Sequence, residues 1–166
     1  MKFIEIMKQN KPAIQELSNL ATTILKEHYD PIIGGRQNDY MIKKFQSVDA
    51  LTKQFEQNYH YYFVCNEVDE KVGFVGYYPR ENDLYLSKFY LKKNHRGKGI
   101  AKEMFEFIKN QAKQLGFSSI VLNVNKNNTV AIRAYEKLGM IKIDQEKIDI
   151  GNGYYMDDYV YQYLIK

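Results

Sequence analysis

The sequence predicts an α/β (α+β) domain around a mixed, mostly antiparallel central sheet of about seven strands, with about four helices. Two observations lead to this prediction. Three apolar segments follow one another between residues 59 and 91, joined by short polar turns, which is typical of an antiparallel meander. A long amphipathic helix and a further strand come next, so residues 84–124 form a βαβ unit whose two strands run parallel. At 166 residues the chain fits a single domain, 1–166.

The first third of the chain is predicted to hold one strand and two helical regions. Residues 3–6 form the strand, and Pro12 opens a helix. Its apolar positions have helical spacing: Ile14, Leu17, Ala21, Ile24 and then His28. The Asp-Pro pair at 30–31 and the two glycines after it are expected to end this helix. A second helical region is expected over 39–58, interrupted near Ser47, whose hydroxyl can cap the next turn.

The middle of the chain contains the meander and the long helix. The meander strands are expected at 59–66, 71–78 and 84–91. The helix after them ends at Gly116, which acts as its C-cap, and a strand over 118–124 follows. The apolar stripe of this helix is Ile100, Met104, Ile108, Ala112 and Leu115.

The last part of the chain predicts one short helix and a closing hairpin. Asn127 or Asn128 caps the helix, and Gly139 ends it. Two strands then flank the turn at 151–153. The resulting order is one strand, two helices, three strands, one helix, one strand, one helix and two strands.

Composition excludes several classes of protein. The net charge is +4, but 24 basic and 20 acidic residues are interspersed, so the chain has no basic arm for nucleic acid. The single cysteine, Cys65, lies in an apolar run and is expected in the core, which leaves no disulfide framework and no multi-cysteine zinc site; no metal is expected. The N-terminal apolar run is broken by Glu5 and Lys8, so no signal peptide or membrane partner is expected, and the protein is predicted to be cytoplasmic.

Residues 96–101, RGKGIA, lie where the third meander strand has ended and the long helix begins; we call them the glycine loop. Gly97 and Gly99 let the backbone turn sharply, and the helix N-terminus adds unpaired N–H groups and a partial positive charge. Arg96 and Lys98 add further positive charge. Such a loop suits an anion, most plausibly phosphate, although a plain surface turn is an open alternative. The motifs GxxxxGK[ST] and GxGxxG are both absent.

Two longer segments around this loop carry a family resemblance. They are DLYLSKFYLKKNHRGKGIAKEMFEFI at 83–108 and VLNVNKNNTVAIRAYEKLGM at 121–140. The chain resembles the GNAT superfamily of acetyl-CoA-dependent N-acetyltransferases over about residues 84–140. The family signature [QR]xxGx[GA] is matched by Arg96, Gly99 and Ala101. The resemblance implies the GNAT-like fold, in which the two parallel strands splay apart.

The resemblance also implies roles for particular residues. The backbone of Arg96, Gly97, Lys98, Gly99, Ile100 and Ala101 would hold the diphosphate of coenzyme A. The backbone of Phe89, Tyr90 and Leu91 would bond the pantetheine arm and the oxyanion of the reacting thioester. Asn128 would contact the cofactor, and Tyr135 would protonate the departing thiolate, since a phenol that titrates near ~10 stays protonated at neutral pH.

The general base and the acceptor are left open by the sequence. Many family members carry a carboxylate in the fourth strand, but residues 84–91 contain none. Other base candidates flank the substrate side in this family: His28, Tyr40, Asp157 and Asp158. Acidic residues near the C-terminus, together with 15 tyrosines, suit a small cationic amine. They are Asp144, Glu146, Asp149, Asp157 and Asp158.

The favoured function is therefore transfer of an acetyl group from acetyl-CoA to a primary amine of a small molecule, by direct attack in a ternary complex. Two alternatives remain on the same fold: a non-catalytic acyl-CoA-binding module, and acetylation of a protein or peptide amine. A nucleic-acid-binding protein is disfavoured because no recognised binding motif is present. Family members often form homodimers, but no residue in the sequence indicates how.

Overall fold

The computed structural model describes residues 1–165. The final residue of the predicted domain 1–166, Lys166, lies outside the described residues. The chain divides into two compact units. The first contains Met1–Tyr78 and Lys88–Met104, and the second contains Pro79–Ser87 and the chain from Phe105 onward.

Seven strands form a mixed sheet in the order β1-β2-β3-β4-β5-β7-β6. Strands β1 and β2 pair antiparallel, as do β2 and β3, β5 and β7, and β6 and β7. The pair β4 and β5 runs parallel, as the βαβ unit predicted. The strands are β1 Lys2–Ile6, β2 His60–Cys65, β3 Lys71–Pro79, β4 Leu84–Leu91, β5 Ser119–Asn125, β6 Ile141–Gly151 and β7 Tyr154–Leu164.

Five α-helices are present in residues 1–165, slightly more than the predicted number of about four. They are α1 Lys11–Ile33, α2 Gly35–Gln46, α3 Val48–Glu56, α4 Ile100–Gln114 and α5 Thr129–Lys137, with a short 3-10 turn at Lys93–His95. The extra helix arises because the region predicted over 39–58 divides in two at Ser47. There the backbone is extended, and the Ser47 hydroxyl accepts a hydrogen bond from the Ala50 N–H at 3.2 Å.

The predicted break of the first helix at the Asp-Pro pair is wrong, whereas the glycine pair does end the helix. Helix α1 continues through Pro31 to Ile33 and ends at Gly34, where φ is +86°. Asn38, which is buried, donates from Nδ2 to the Leu25 carbonyl at 2.9 Å and to Asp30 Oδ1 at 2.8 Å. These bonds tie α2 to the last turns of α1, so tertiary contacts offset the hydrogen bond that a proline removes from a helix.

Each unit has its own buried apolar residues. In the first unit, Leu17, Ile24, Leu51, Phe63 and Phe74 belong to one core that α1, α3 and strands β2 and β3 share. In the second unit, Ile108 and Ile120 are fully buried, and the rings of Phe105 and Tyr163 meet edge to face at 5.2 Å. Leu115 is 50% exposed, so the buried stripe of α4 ends at Ala112, one position earlier than predicted.

Candidate active site

The glycine loop lies in the first unit, between the 3-10 turn and α4. Gly97 and Gly99 have φ values of +76° and +81°, a region that favours glycine. Within the described residues, apart from each glycine and its neighbours in the chain, no atom lies within 4 Å of where a Cβ on either glycine would be. Helix α4 starts at Ile100, so the N–H groups of its first turn have no partner inside the helix. The loop therefore offers backbone donors beneath open space, which fits an anionic group such as a diphosphate.

The positive charge of Arg96 indicated a side chain that faces the anion, but its guanidinium is bonded within the protein. Its Nε and Nη2 donate to the Leu91 carbonyl at 3.1 and 3.0 Å, and Nη1 lies 3.2 Å from His28 Nδ1. Because an arginine only donates, His28 Nδ1 is the acceptor of this bond. Burial lowers the pKa of Arg96, which stays protonated at neutral pH. The Arg96 side chain thus holds the glycine loop against the end of β4. Lys98 is exposed, so its side chain is the charged group of the loop that is able to contact a ligand.

The last residues of β4 also lie in the first unit, close to β3. The Tyr90 ring packs on Phe74 with the ring centroids 5.4 Å apart, and Leu91 is buried. A Cβ on Gly73 would lie only 2.4 Å from the Tyr90 carbonyl oxygen, so only glycine allows the two backbones to come this close. The close packing of β3 against Tyr90 and Leu91 holds the backbone of this part of β4 in place.

The ladder between the parallel strands is short. It consists of Leu84 opposite Ile120 and Tyr85 opposite Val121, so it engages only the first two of the 8 residues of β4. This agrees with the splayed strands that the family resemblance implied. It leaves Phe89, Tyr90 and Leu91 beyond the last ladder pair.

Asn128 and Tyr135 lie in the second unit, on α5. Asn128 is 2% exposed and caps the helix, since its Oδ1 accepts a hydrogen bond from the Ala131 N–H at 3.3 Å. Tyr135 is 9% exposed, and its carbonyl accepts a bond from the Met140 N–H at 3.1 Å. Both residues hold defined positions in the helix, as a capping residue and as a largely buried aromatic residue.

Lys88 is the residue of this region that the sequence reasoning missed. It lies in β4, is 5% exposed, and donates from Nζ to the Phe45 carbonyl at 3.1 Å and to Gln46 Oε1 at 2.8 Å. Burial lowers the pKa of this amine from 10.5 to about 7. A signal was present in the sequence, because Lys88 falls on the alternation that places Leu84 and Leu86 in the core.

The acceptors of Lys88 are themselves held by a buried polar network at the end of α2. The Ser18 hydroxyl donates to the Gln46 carbonyl at 2.6 Å, and Gln54 Nε2 donates to the Phe45 carbonyl at 2.9 Å. Gln54 Oε1 in turn accepts a short hydrogen bond from the Tyr61 hydroxyl. The network fixes the two acceptors relative to α1, α3 and β2.

The four base candidates from the sequence differ in their surroundings. His28 accepts the hydrogen bond from Arg96, and Asp157 forms an ion pair with Lys126 at 2.5 Å. Tyr40 is half-buried on α2, with Lys44 Nζ 5.8 Å from its ring centroid. None of these three environments indicates a proton acceptor.

Asp158, the fourth candidate, is almost fully buried, with 3% of its surface exposed. Asn123 Nδ2 lies 3.5 Å from Asp158 Oδ2 and 3.3 Å from Glu146 Oε2, so one amide group donates to both carboxylates. Asn123 Oδ1 is held by the Tyr85 hydroxyl at 2.8 Å. Burial, with a smaller contribution from the charge of Glu146, raises the pKa of Asp158 from 3.8 to about 6.

Comparison with known proteins defines the class. The family model for the Acetyltransferase (GNAT) family matches residues 22–140. The chain belongs to this family. The match begins within α1 and ends just after α5, so it includes both the glycine loop and Asn128 and Tyr135.

Individual relatives agree with this class. An uncharacterized N-acetyltransferase of Escherichia coli (strain K12), YjgM, is 34% identical over 102 residues, which cover 59% of this chain and 61% of that protein. N-acetyltransferase 8B of Homo sapiens is 32% identical over 90 residues, which cover 51% of this chain and 40% of that protein. The chain thus matches less than two thirds of the length of these relatives.

Solved structures show the fold. The PaiA N-acetyltransferase from Thermoplasma acidophilum, in complex with coenzyme A, has a TM-score of 0.78 at 20% identity, and the match covers 99% of both chains. A GCN5-related N-acetyltransferase from Rhodopseudomonas palustris also has a TM-score of 0.78, at 10% identity, over 99% of this chain and 95% of that one. The mixed seven-stranded sheet is therefore the GNAT fold.

Residues 1–165 offer neither a membrane-spanning helix nor a cluster of metal ligands. None of their helices is long and apolar enough to cross a membrane. Nor do they contain three or more His, Cys, Asp or Glu side chains grouped so as to hold a metal ion.

Proposed function

We propose that the protein transfers the acetyl group of acetyl-CoA to the primary amine of a small molecule, by direct attack of the amine on the thioester in a ternary complex. The observation that carries this proposal is the glycine loop within a GNAT-family chain. Its two glycines have positive φ and open space above them, and α4 begins directly after the second. In a structural neighbour, the PaiA protein, coenzyme A is bound on the same fold.

The glycine loop would hold the diphosphate of acetyl-CoA mainly through backbone N–H groups. Arg96 contributes by fixing the loop, because its guanidinium is bonded to the Leu91 carbonyl and to His28. Lys98 is exposed and would add a charge at the ligand. Gly97, Ile100 and Ala101 would contribute backbone groups, as the family signature implies.

The end of β4 would bind the pantetheine arm. Phe89, Tyr90 and Leu91 lie beyond the last ladder pair with β5, and β3 packs tightly against Tyr90. A fixed strand can pair with an extended ligand as it would with another strand. Its N–H groups can also stabilise the negative charge that develops on the thioester oxygen during attack, a contribution worth about 3–4 kcal/mol per donor in related chemistry.

Asn128 and Tyr135 would act at the thiol end of the cofactor. In this proposal Asn128 contacts the pantetheine arm while it caps α5, and the Tyr135 phenol gives its proton to the departing sulfur. The support for these roles is the match of 121–140 to the family pattern, together with the burial of both residues.

The acceptor would be a small cationic amine. The hairpin of β6 and β7 carries Asp144, Glu146, Asp149, Asp157 and Asp158. Two of its tyrosine rings already meet lysines of the chain, Tyr159 with Lys142 at 3.6 Å and Tyr155 with Lys147 at 5.0 Å. The carboxylates, and not these aromatic faces, are therefore the main support for a cationic acceptor.

An amine-panel assay tests this function. The protein is incubated with acetyl-CoA and single amines, including polyamines, amino acid amines and lysine peptides, and the release of thiol and the mass of the amine product are measured. Thiol release that depends on a small amine, with one acetyl group added per thiol, is the expected result. Acetylation of the peptides alone would replace the small-molecule acceptor with a protein or peptide amine.

A non-catalytic acyl-CoA-binding module is the second candidate, favoured by the absence of a carboxylate from β4. The same assay separates the two when coenzyme A binding is measured by calorimetry on the same preparation. Binding without thiol release for any amine would support the binding module.

A further inference from the structure

Strand β4 contains one strongly basic side chain and no carboxylate. The strand reads LYLSKFYL, and its only Lys is Lys88. It lies beyond the last ladder pair with β5 and immediately before Phe89–Leu91, the segment proposed to bond the reacting thioester. Lys88 is thus the amine of β4, and it directly precedes the proposed site of reaction in the chain.

The hydrogen bonds of Lys88 leave one position of its nitrogen unused. A lysine nitrogen has four tetrahedral positions, one of which holds the side-chain carbon. Two of the remaining three are directed at the Phe45 carbonyl and Gln46 Oε1. A neutral amine satisfies both acceptors with its two hydrogens and keeps a lone pair free. A protonated amine would carry a third N–H, for which residues 1–165 supply no acceptor.

The groups that face Lys88 carry no negative charge. The helix residues that face it, Phe45 and Gln46, offer only uncharged acceptors, and the group facing it from β3 is Gly76. From β2, the Tyr61 ring faces it with its centroid 5.9 Å from Nζ, a cation–π contact at the long end of the usual range, which compensates a buried charge less than a carboxylate would. Burial raises the pKa of Tyr61 well above its ordinary value, so this phenol stays neutral. With no carboxylate to compensate its charge, Lys88 has a pKa lowered to about 7.

We propose that Lys88 is the general base of the reaction and takes the proton of the acceptor ammonium, in direct contact or through one water. The inference rests on the proposed function. One N–H bond of the ammonium breaks and one N–H bond forms on Nζ, so the positive charge moves from the acceptor to Lys88. The acceptor nitrogen gains the lone pair with which it attacks the thioester. Lys88 then returns to its neutral form by releasing the proton to solvent.

The dependence of kcat/KM on pH tests this role, with acetyl-CoA saturating and the best amine of the panel varied. With a base of pKa about 7, kcat/KM for the wild type levels off above pH 7. Without a base, the reaction uses only amine that is already neutral, so kcat/KM rises tenfold per pH unit up to the pKa of the acceptor, about 10.4 for an alkyl amine.

The variants are Lys88→Arg, which keeps donors and charge but accepts no proton, and Lys88→Met, which removes the amine. Both should lose about 10²-fold or more at pH 7.5 and regain activity steadily towards pH 10. Lys113→Met, on the exposed side of α4, is the matched control and should keep the wild-type profile. Melting curves identify a variant that does not fold, in which case the wild-type profile alone decides.

The outcomes separate this inference from the proposed function. A wild type that acetylates amines with no level region above pH 7, or a Lys88→Arg variant with the wild-type profile, would overturn the role of Lys88 alone. A wild type that neither binds acetyl-CoA nor acetylates any amine would overturn the proposed function itself, and the role of Lys88 with it.

Discussion

Asp158 and Lys88 are both ionisable residues whose pKa burial moves towards neutrality, one upward and one downward. Neither has an oppositely charged partner among residues 1–165. Lys88 has two firm acceptors at 3.1 and 2.8 Å, whereas Asp158 has one amide at 3.5 Å that is shared with Glu146. Lys88 is therefore well held for a role in proton transfer, while Asp158 is expected to reduce the stability of the fold at neutral pH.

Replacing Asp158 with Asn tests whether its buried carboxylate lowers the stability of the fold. The folded-state pKa is about 6, above the ordinary 3.8. Between these values the folded chain binds a proton that the unfolded chain has lost, so the carboxyl group lowers stability as pH rises from about 4 to 6. Above pH 6 the variant should be more stable than wild type by about 1–3 kcal/mol, and near pH 4 the two should converge.

Denaturant unfolding at pH 4 and 7.5 measures this difference. Asp144→Asn, a change at an exposed carboxylate on β6, serves as the control and should change stability little at either pH. A destabilised Asp158→Asn variant at pH 7.5 would show that the charged form makes a favourable contact.

Gly99→Ala tests the glycine loop. The new Cβ would enter the open space above the loop, and the positive φ of +81° would be strained, so we expect coenzyme A to bind at least about tenfold more weakly, a loss of about 1.4 kcal/mol. Gly116→Ala is a close control, because Gly116 has φ +82° and open space but caps the opposite end of α4. Calorimetry should show weaker binding only for Gly99→Ala; equal affinities would remove Gly99 from the cofactor site.

Tyr135→Phe tests the proton donor. The variant should bind coenzyme A as the wild type does, while kcat falls by about 10²-fold, because the thiolate would leave without a proton from the phenol. Steady-state kinetics with the best amine, together with calorimetry for coenzyme A, measures both effects. An unchanged kcat over the whole pH range would show that the phenol is dispensable.

At the scale of elements, the strength of the local signals decided what the sequence could predict. Strand β4 was predicted at 84–91, where the structure has it, because alternating apolar residues and polar turns define both ends. The break at Ser47 was also confirmed, since a serine cap is a local signal. The continuation of α1 through Pro31 was not predictable in the same way, because Asn38 on another helix stabilises the turns around this proline.

Asn38→Ala tests the contact between α1 and α2. The change leaves the buried Leu25 carbonyl without its side-chain donor and removes the bond to Asp30, so the free energy of unfolding should fall by about 1–3 kcal/mol. The control Gln15→Ala removes an exposed hydrogen bond to Asn19 within α1 and should change the free energy of unfolding by less than about 0.5 kcal/mol. Similar effects of the two changes in denaturant unfolding would show that the α1–α2 contact does not depend on Asn38.

In the candidate site, too, local sequence signals could be predicted, whereas contacts between residues far apart in the chain could not. The glycine loop could be predicted because glycines at a strand-to-helix junction indicate positive φ and free amides. The inward bonds of Arg96 and the burial of Lys88 could not, since both depend on residues far away in the chain, His28 for one and Phe45 and Gln46 for the other. The sequence therefore predicted the backbone geometry of the glycine loop but not which side chains hold the loop and β4 in place.

At the scale of the whole molecule, the order of elements and the parallel pair β4–β5 were predicted and confirmed, and the family match over 22–140 agrees with them. The ends of the chain carry less of this information. They lie outside the family match and include both strands of the closing hairpin, whose acidic residues are the main support for a cationic acceptor.

The most direct test of the central claim measures free coenzyme A and acetylated amine in the same reaction, with the amine panel and acetyl-CoA. The proposed function predicts that both products form in equal amounts, only when enzyme and amine are present. Tight binding of acetyl-CoA with no acetylated amine from any member of the panel would contradict it, and would show that this chain uses the GNAT fold for binding alone.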